Sequence, residues 1–415
     1  MLAALLRVST VVWSILGAGA NRIGASRAVA DVAHERAAEA FNPKPFLVGA
    51  LARPLAPSAR LSTELSYEFS GPATSASGPF PPRVSAMSRV RNPLRFQPGE
   101  NLVQDRYPWS LKAEEQIGRS SRGQVWKCRL TTQDGVDKDV AVKIENLFRI
   151  TPEGVLTRTK AMREVESMEK FNGGPFVDYI GYWERKGSLL IIMELTDGNI
   201  ADTVLAQPFE VFDLPIRIQL FTQLMEGIRT MAEQGYVHRS IWPANLLLKA
   251  DGNDVHLKIC DFGHASSLIK QPGELWHETD GRKKTIGAPL YRPPEGWEGR
   301  WSVKSDVYSA GLVLYRLLFE GAMPPEPSGV GPDHPEYAER FSQYDVKKDA
   351  LLGAATVLAH QDPGISQLLA LLPRMLARDV RERASAEEVL EVLYALPEMD
   401  EWPVKILREV QNLYR

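Results

Sequence analysis

A lysine inside an apolar run is the first sign of chemistry in this sequence. Lys143 lies in the segment VAVKI (140–144), and an ammonium group among apolar neighbours must pair with an anion. Twenty residues earlier, Gly123 lies in IGRSSRGQV (117–125), which also contains Gly118. Glycine lets backbone N–H groups close over a phosphate group, although a β-hairpin with two glycines is the alternative interpretation. The two segments together favour a site for a phosphate-bearing ligand.

The densest group of residues with chemical potential lies between 236 and 263. It comprises YVHRSIWPANLLL (236–248) and ICDFG (259–263), with sixteen residues from Asn245 to Asp261. These segments resemble the catalytic loop H-R-D-x-K-x-x-N and the D-F-G motif of eukaryotic protein kinases. The earlier segments are similar to the glycine-rich loop and the lysine-bearing strand of the same family. The resemblance covers about residues 110–396.

The resemblance implies a role for each matching residue. Asn245 and Asp261 would hold Mg²⁺ on the phosphates of ATP, since amide and carboxylate oxygens suit a hard cation. Lys143 would bridge those phosphates to Glu164 on the following helix, and a plain surface charge is the alternative for this glutamate. Ser120 stands where the loop has its middle glycine. The other residues expected to bind the nucleotide are Gly118, Gly123, Val125, Ala141, Met193, Glu194, Leu195 and Leu247.

Two residues depart from the family pattern in the catalytic loop. Ser240 replaces the aspartate that accepts the proton of the substrate hydroxyl, and serine cannot act as that base near neutral pH. Trp242 replaces the lysine that steadies the transferring phosphoryl group, and its indole has no positive charge. Loss of a general base costs about 10²–10⁴-fold in rate, and loss of an electrostatic partner can cost as much again. The sequence therefore predicts little or no ordinary phosphoryl transfer.

The hydrophobic pattern predicts the elements that must position these residues. Three segments are β-like: QVWKCRL (124–130), KDVAVKIENL (138–147) and SLLIIMEL (188–195). Apolar residues recur at helical spacing in 158–172, 216–235, 307–321 and 365–379. We therefore expect an α+β, bilobal protein kinase fold, with a small β-rich N-lobe at 108–198 and a larger α-helical C-lobe at 199–415. The cleft between two such lobes is a preferred ligand site.

Further segments resemble structural segments of the protein kinase domain, which stabilise the fold and take no part in catalysis. GAPLYRPPE (287–295) contains Glu295, for which Arg383 is the expected buried partner. SDVYSAG (305–311) contains Asp306, which would cap the backbone of the catalytic loop. An apolar stack through both lobes is expected from Met168, Leu190, His238 and Phe262.

Composition limits the class of protein. The 415 residues are 44% hydrophobic and 24% charged, as in ordinary globular proteins. Residues 1–106 hold 12 basic and 7 acidic side chains, so their charge of +5 leaves −8 for the rest of a chain with net charge −3. An acidic domain has no electrostatic footprint for a nucleic acid, so we expect none as a partner. Cys128 and Cys260 are the two cysteines, and free buried thiols are expected in place of disulfides or a thiolate zinc site.

The N-terminal region reads as a leader followed by a linker. Residues 1–20, MLAALLRVSTVVWSILGAGA, resemble a secretory signal peptide with an A-x-A end, and the apolar run is shorter than the roughly 20 residues of a membrane span. We expect entry into the secretory pathway, with no transmembrane segment in the mature chain; an arginine-rich organellar presequence is the alternative. Residues 21–107 are basic and rich in Pro, Ser and Ala, which predicts a mostly disordered linker.

Three functions remain open on the sequence alone. The first is a pseudokinase that binds ATP and Mg²⁺ and acts by docking or regulating a protein partner, such as an active kinase or its substrate. The second is a weakly active or atypical protein Ser/Thr kinase, because positioning alone contributes much of phosphoryl transfer. The third is a structural scaffold that binds no nucleotide. The leader, linker and degenerate kinase domain together resemble the secreted rhoptry kinases and pseudokinases of apicomplexan parasites.

Overall fold

The computed structural model describes residues 97–103, 109–119, 123–147, 150–151, 154–155, 158–185, 187–252, 254–268, 276–277, 286–322, 353–354, 356–358, 362–397 and 404–413. All of them belong to one of the two units of the chain, Leu65–Arg415. The leader at 1–20 and most of the linker lie outside the described residues, so the expected secretory compartment stays a prediction. Among the helices of the described ranges, none has the length and hydropathy needed to cross a bilayer.

A five-stranded antiparallel sheet dominates the first part of the domain. Its strands follow the order β1-β2-β3-β7-β6. The elements in chain order are β1 (Ser110–Arg119), β2 (Gly123–Thr131), β3 (Asp137–Asn146), β4 (Ile150–Thr151), β5 (Gly154–Val155), α1 (Arg158–Lys170), β6 (Tyr179–Arg185) and β7 (Ser188–Glu194). The short pair β4–β5 and helix α1 connect β3 to β6. This is the predicted β-rich lobe with one helix.

The two faces of the sheet pack into different hydrophobic clusters. Because side chains alternate across a strand, Val140, Val142 and Ile144 enter one cluster while Ala141 enters the other. Leu190 belongs to the cluster that contains Val142. The larger cluster, which contains Ala141, includes its strand neighbours Leu189 and Ile191 together with Met168 and Phe262. Leu190 therefore packs on the opposite face of the sheet from Met168 and Phe262, and its expected place in the interlobe stack was wrong.

A segment before β1 also packs on this sheet. Leu102 and Val103 are buried with Trp109 in the cluster that contains Val142. The backbone of 97–103 is also hydrogen-bonded to β1; for example, the Leu102 N–H donates to the Leu111 carbonyl oxygen at 2.7 Å. Arg185 fastens the same segment by an ion pair with Glu100 at 3.1 Å. Residues 97–103 therefore pack with the domain, although the sequence analysis counted them in the linker that precedes residue 108.

The second part of the domain is mainly helical. Its helices are α2 (Leu214–Glu233), α3 (Pro294–Trp297), α4 (Ser305–Leu318), α5 (Pro363–Met375), α6 (Ala386–Tyr394) and α7 (Val404–Leu413). Its short strands are β8 (Gly198–Asn199), β9 (Tyr236–Val237), β10 (Leu246–Asp251), β11 (Asp254–Ile259), β12 (Ser266–Ser267), β13 (Trp276–His277) and β14 (Arg300–Trp301). The predicted α+β architecture, a β-rich lobe followed by a larger helical lobe, is confirmed.

Local sequence explains where the main helices begin. Asp213 accepts the N–H of Ile216 at 3.0 Å and so caps α2. Ser385 and Glu388 form a capping box at the start of α6, each side chain bonded to the backbone of the other. Helix α4 is buried along almost its whole length, and its apolar side chains form the centre of the larger cluster together with those of α2 and α5.

An aromatic group joins the two lobes. The ring of Phe262 stacks on Phe171 at 6.2 Å and meets the edge of His238 at 5.0 Å between centroids. Burial lowers the pKa of His238 to about 4, so this imidazole is neutral at physiological pH. The contacts fix the backbone on either side of Phe262, and they set the position of the site described next.

Candidate functional site

Lys143 is the centre of the site. Its position on β3 turns the side chain to the same face as Ala141, and it is almost fully buried. The ammonium Nζ lies 2.6 Å from Oε1 of Glu164 on α1 and 2.7 Å from Oδ1 of Asp261. A third carboxylate, that of Glu145, lies 3.4 Å away. The structure thus pairs Lys143 with Glu164, as the sequence predicted, and adds a contact with Asp261 that was not predicted.

The hairpin of β10 and β11 brings the predicted metal ligands together. Leu246 pairs with Ile259 at the open end of this ladder, so Asn245 and Asp261 lie just beyond the same end, one on each strand. The backbone N–H of Cys260 donates to the Asn245 carbonyl oxygen at 3.0 Å. Asp261 has a left-handed backbone with φ 65° and ψ 67°, and its side chain is 33% exposed. A non-glycine residue in this conformation is held there by its surroundings.

The buried carboxylate of Asp306 holds the backbone of the segment that resembles the catalytic loop, 236–248. Asp306 on α4 accepts the backbone N–H groups of His238 at 2.5 Å and Arg239 at 2.9 Å. Burial raises the pKa of Asp306 to about 6, although the two backbone hydrogen bonds oppose that shift. Arg239 has φ 66°, and its Nε donates to the His264 carbonyl oxygen at 2.6 Å. This is the capping role that the sequence assigned to Asp306.

The two departures from the kinase pattern lie at the centre of this loop. The hydroxyl Oγ of Ser240 lies 3.0 Å from the side-chain nitrogen of Asn245, which also donates to the Ser240 carbonyl oxygen at 2.9 Å. Trp242 is half-buried and packs against the larger hydrophobic cluster. Ser240 therefore takes part in ordering Asn245, and neither replacement supplies a carboxylate or a cation.

The two loop glycines meet different surroundings. A Cβ atom on Gly123 would lie 1.7 Å from the Ile144 carbonyl oxygen, whereas one on Gly118 would meet the Val125 side chain at an ordinary 3.5 Å. Close approach of β2 to β3 explains Gly123 without reference to any ligand. Ser120 lies outside the described residues.

We expect Gly123→Ala to destabilise the unliganded chain by about 1–3 kcal/mol, because the backbone of β3 must move to admit the methyl group. The matched variant Gly118→Ala should change the free energy of unfolding much less. Urea unfolding of both variants measures this difference, and equal losses would contradict it.

Five of the residues expected to bind the nucleotide are apolar and lie in or against the larger hydrophobic cluster. Ala141 and Met193 are Cα partners across β3 and β7 and are buried in the larger cluster. Val125, Leu247 and Leu195 are partly buried against that cluster. These five side chains could enclose an apolar ring between the lobes.

Glu194 has a different role from the other residues expected to bind the nucleotide. Its Oε1 accepts the N–H of Asp178 at 2.9 Å and lies 3.5 Å from Lys258. The neighbouring carbonyl oxygen of Leu195 accepts a hydrogen bond from Lys249 at 2.7 Å. The Glu194 side chain therefore anchors the segment between the lobes, which leaves only its backbone to face a ligand.

Comparison with known proteins decides the family. Residues 111–395 match the family model described as "Protein kinase domain". The chain belongs to the protein kinase family. Protein kinase domains generally use ATP and Mg²⁺ and act on protein substrates or partners.

Several curated kinases are similar to this protein kinase domain. The dual specificity protein kinase shkA of Dictyostelium discoideum is 32% identical over 222 residues, which are 52% of this chain and 38% of the relative. The calcium-dependent protein kinase 17 of Arabidopsis thaliana is 27% identical over 334 residues, 79% of this chain and 56% of the relative. The serine/threonine-protein kinase ATG1b of Arabidopsis thaliana is 29% identical over 204 residues, 49% and 27% respectively. The matched regions span about half or less of these relatives.

The residues of the cleft fit a magnesium–nucleotide complex. Asp261 offers a partly exposed carboxylate and Asn245 offers an amide oxygen, which are the ligand types that Mg²⁺ takes from protein while phosphates and water complete its shell. Within the described ranges, no three His, Cys, Asp or Glu side chains form a group able to hold a metal ion by themselves.

Glu145 is the site residue that the sequence analysis missed. Its side chain is fully buried beside Lys143. The signal was present, because residues two apart on a strand point to the same face, and Glu145 follows Lys143 by two. Cys128 and Cys260, which were expected to be free thiols, form no disulfide within the described part of the chain. Burial raises the pKa of each thiol.

Proposed function

We propose that this protein kinase domain binds ATP with Mg²⁺, transfers phosphate slowly or not at all, and acts mainly by docking a protein partner. One observation carries the proposal: Lys143 lies within 2.7 Å of both Glu164 and Asp261, while Ser240 occupies the position of the proton acceptor. The groups that would hold the nucleotide are assembled. The group that would activate the substrate hydroxyl is missing.

The residues of this chain divide accordingly. Lys143, oriented by Glu164, would pair with phosphate oxygens, and Asp261 with Asn245 would hold the cation. Bound Mg²⁺ supplies the neutralisation of phosphate charge on which phosphoryl transfer depends. Ser240 can neither accept the hydroxyl proton nor supply charge, and Trp242 offers no cation to the moving phosphoryl group. These residues support binding more strongly than they support catalysis.

Thermal unfolding of the full chain tests nucleotide binding. A ligand at one hundred times its Kd stabilises the folded state by about 2.7 kcal/mol, so ATP with Mg²⁺ should raise the Tm by several degrees. Asp261→Asn should abolish the part of the shift that depends on Mg²⁺, because the amide binds a hard cation more weakly than a carboxylate. Lys405→Ala, at a lysine that is 88% exposed, serves as the control and should keep the full shift.

The same experiment distinguishes the candidate functions. An absent shift at saturating nucleotide would refute both nucleotide-dependent functions and favour a scaffold. A shift together with measurable transfer to a protein substrate would favour the second candidate, a weakly active Ser/Thr kinase. That candidate is supported by the intact contacts of Lys143 and by the similarity to serine/threonine kinases. The likeness to rhoptry kinases rests on the leader, the linker and the degenerate kinase domain together, and it stays a prediction.

A further inference from the structure

Helix α7 packs against the helical lobe through one of its faces. It lies beyond residues 111–395, the part of the chain that matches the protein kinase family. Leu407 and Val410 are buried in the larger hydrophobic cluster, and Gln411 Nε2 donates to the Phe319 carbonyl oxygen at 3.3 Å. Because residues three apart lie on the same side of a helix, these side chains form a single contact face.

Arg408 is the charged anchor of that face. Its Nη2 atom lies 2.7 Å from Oε1 of Glu320 and 2.9 Å from Oε1 of Glu210, and its Nε atom donates to Oε2 of Glu320 at 3.1 Å. The planar guanidinium spans the two carboxylates, which the single ammonium of a lysine would contact less well. The surface under α7 is therefore suited to a helix that carries an arginine.

The surface under α7 is held in place by contacts that α7 does not make. The buried guanidinium of Arg217 lies 4.7 Å from the centre of the Phe209 ring. Arg217 also donates to the carbonyl oxygens of Phe212 at 2.7 Å, Gln207 at 2.6 Å and Leu317 at 3.3 Å. We therefore expect the surface to keep its shape when α7 leaves it.

Glu320 has a backbone conformation that favours glycine. Its φ is 47°, and it directly follows Phe319, the C-cap of α4, at a position where helices commonly have glycine. Its Oε1 accepts the N–H of Phe209 at 3.3 Å, so the carboxylate is oriented from the lobe itself. Glycine would adopt this φ without strain, and a glutamate here supplies a carboxylate that the end of α4 does not need.

Helix α7 is held less firmly than the central helices of the lobe. It has ten residues, fewer than the roughly 12–15 that an isolated helix needs to be even marginally stable. The side chain of Arg408 is 39% exposed and that of Glu210 is 51% exposed, and ion pairs open to solvent stabilise little. We expect α7 to leave this surface more readily than α2 or α4 leaves the core.

We propose that this surface, the α7 groove, is a docking site for an amphipathic helix of a protein partner, and that α7 occupies it in cis until the partner displaces it. The α7 groove is formed by Phe209, Glu210, Phe319 and Glu320. The proposal rests on the docking part of the proposed function and names its surface. The partner helix carries two apolar residues three apart, with an arginine directly after the first of them, and it binds in the helix-in-groove mode.

Fluorescence anisotropy with a labelled synthetic peptide of residues 400–415 tests the proposal on the full chain without nucleotide. In the wild type, α7 competes with the peptide because its effective concentration is high. Arg408→Glu places a negative charge against Glu210 and Glu320 and should release α7, so the peptide should bind this variant at least about tenfold more tightly than the wild type. Lys405→Glu makes the same charge reversal at a side chain of α7 that is 88% exposed, and it should behave as the wild type.

Variants of the peptide test the recognition of arginine. The peptide with Arg408→Lys should bind the Arg408→Glu chain about tenfold more weakly than the wild-type peptide, because an ammonium cannot span both carboxylates. Adding Glu320→Lys to the Arg408→Glu chain should abolish binding of the wild-type peptide.

Hydrogen exchange of the wild-type chain needs no variant that could fail to fold. The backbone amides of 404–413 should exchange faster than those of α4, because α7 leaves the groove without unfolding of the lobe. Exchange of 404–413 only through global unfolding would overturn the proposal, since α7 would then be an inseparable part of the lobe.

The remaining outcomes identify the occupant and separate this inference from nucleotide binding. Peptide binding to Arg408→Glu no tighter than to Lys405→Glu would overturn the proposal. Wild-type dimers that dissociate in Arg408→Glu would also overturn it, because the occupant would then be a second copy of this chain. A peptide that bound as expected to a chain with no thermal shift in ATP and Mg²⁺ would support the docking site and refute the nucleotide-binding part of the proposed function.

Discussion

Restoring the two missing catalytic side chains, with Ser240→Asp and Trp242→Lys together, is expected to raise the rate of phosphoryl transfer by about 10²–10⁴-fold. The carboxylate would supply the proton acceptor, and the ammonium would supply charge beside the transferring phosphoryl group. The geometry favours this result because Asn245 already donates to Ser240 and could orient a carboxylate in the same place. Transfer of the γ-phosphate to a generic protein substrate measures the rate.

Two further variants make the result interpretable. Ser240→Ala should give no gain in rate, since it supplies no proton acceptor. Adding Asp261→Asn to the double variant should remove the gain, because the cation would lose its carboxylate. If the double variant gained nothing while keeping its thermal shift with ATP and Mg²⁺, the catalytic-loop replacements would not be what limits the rate.

Arg383→Met is expected to destabilise the unliganded domain by about 3–5 kcal/mol, because it leaves a buried carboxylate without its partner. The guanidinium of Arg383 is fully buried and binds Glu295 through two hydrogen bonds, of 2.7 and 2.9 Å. Ser305 donates a third hydrogen bond to the same carboxylate at 2.8 Å. This ion pair joins α3, which contains Glu295, to the residues just before α6. Urea unfolding followed by circular dichroism measures the loss.

The chain contains a matched control two residues away. Arg381 pairs with Asp379 at 2.6 Å, but its side chain is 90% exposed, so Arg381→Met should change stability little. The double variant Glu295→Gln with Arg383→Met should recover part of the loss, since no unpaired charge remains buried. Equal effects of Arg383→Met and Arg381→Met would contradict the assignment of Arg383–Glu295 as the buried tie.

The sequence alone determined the family, the fold class and the main members of the site. The motifs around Lys143 and between 236 and 263 are local. Their order and spacing were enough to predict two lobes with a ligand cleft between them. The ion pair of Lys143 with Glu164 followed from the same logic, since Lys143 lies on a predicted strand and Glu164, 21 residues later, lies on the next predicted helix. The missing proton acceptor at Ser240 is likewise a fact of residue type.

Tertiary structure decided what local patterns leave ambiguous. Strand β7 is buried on both faces, so it shows no alternation of polar and apolar residues, and Leu190 could not be assigned to a side. The segment 97–103 has no periodicity, and its burial depends on the outer face of the sheet and on Arg185.

The charge balance at Lys143 also belongs to the tertiary structure. Lys143 meets Asp261 across 118 residues of chain, and the burial of Glu145 depends on neighbouring elements. Residue types can indicate that an ammonium needs an anion. Only the packing of β3, α1 and the end of β11 sets how many anions share it, because desolvation and distance, which fix the strength of each pair, are properties of the assembled fold.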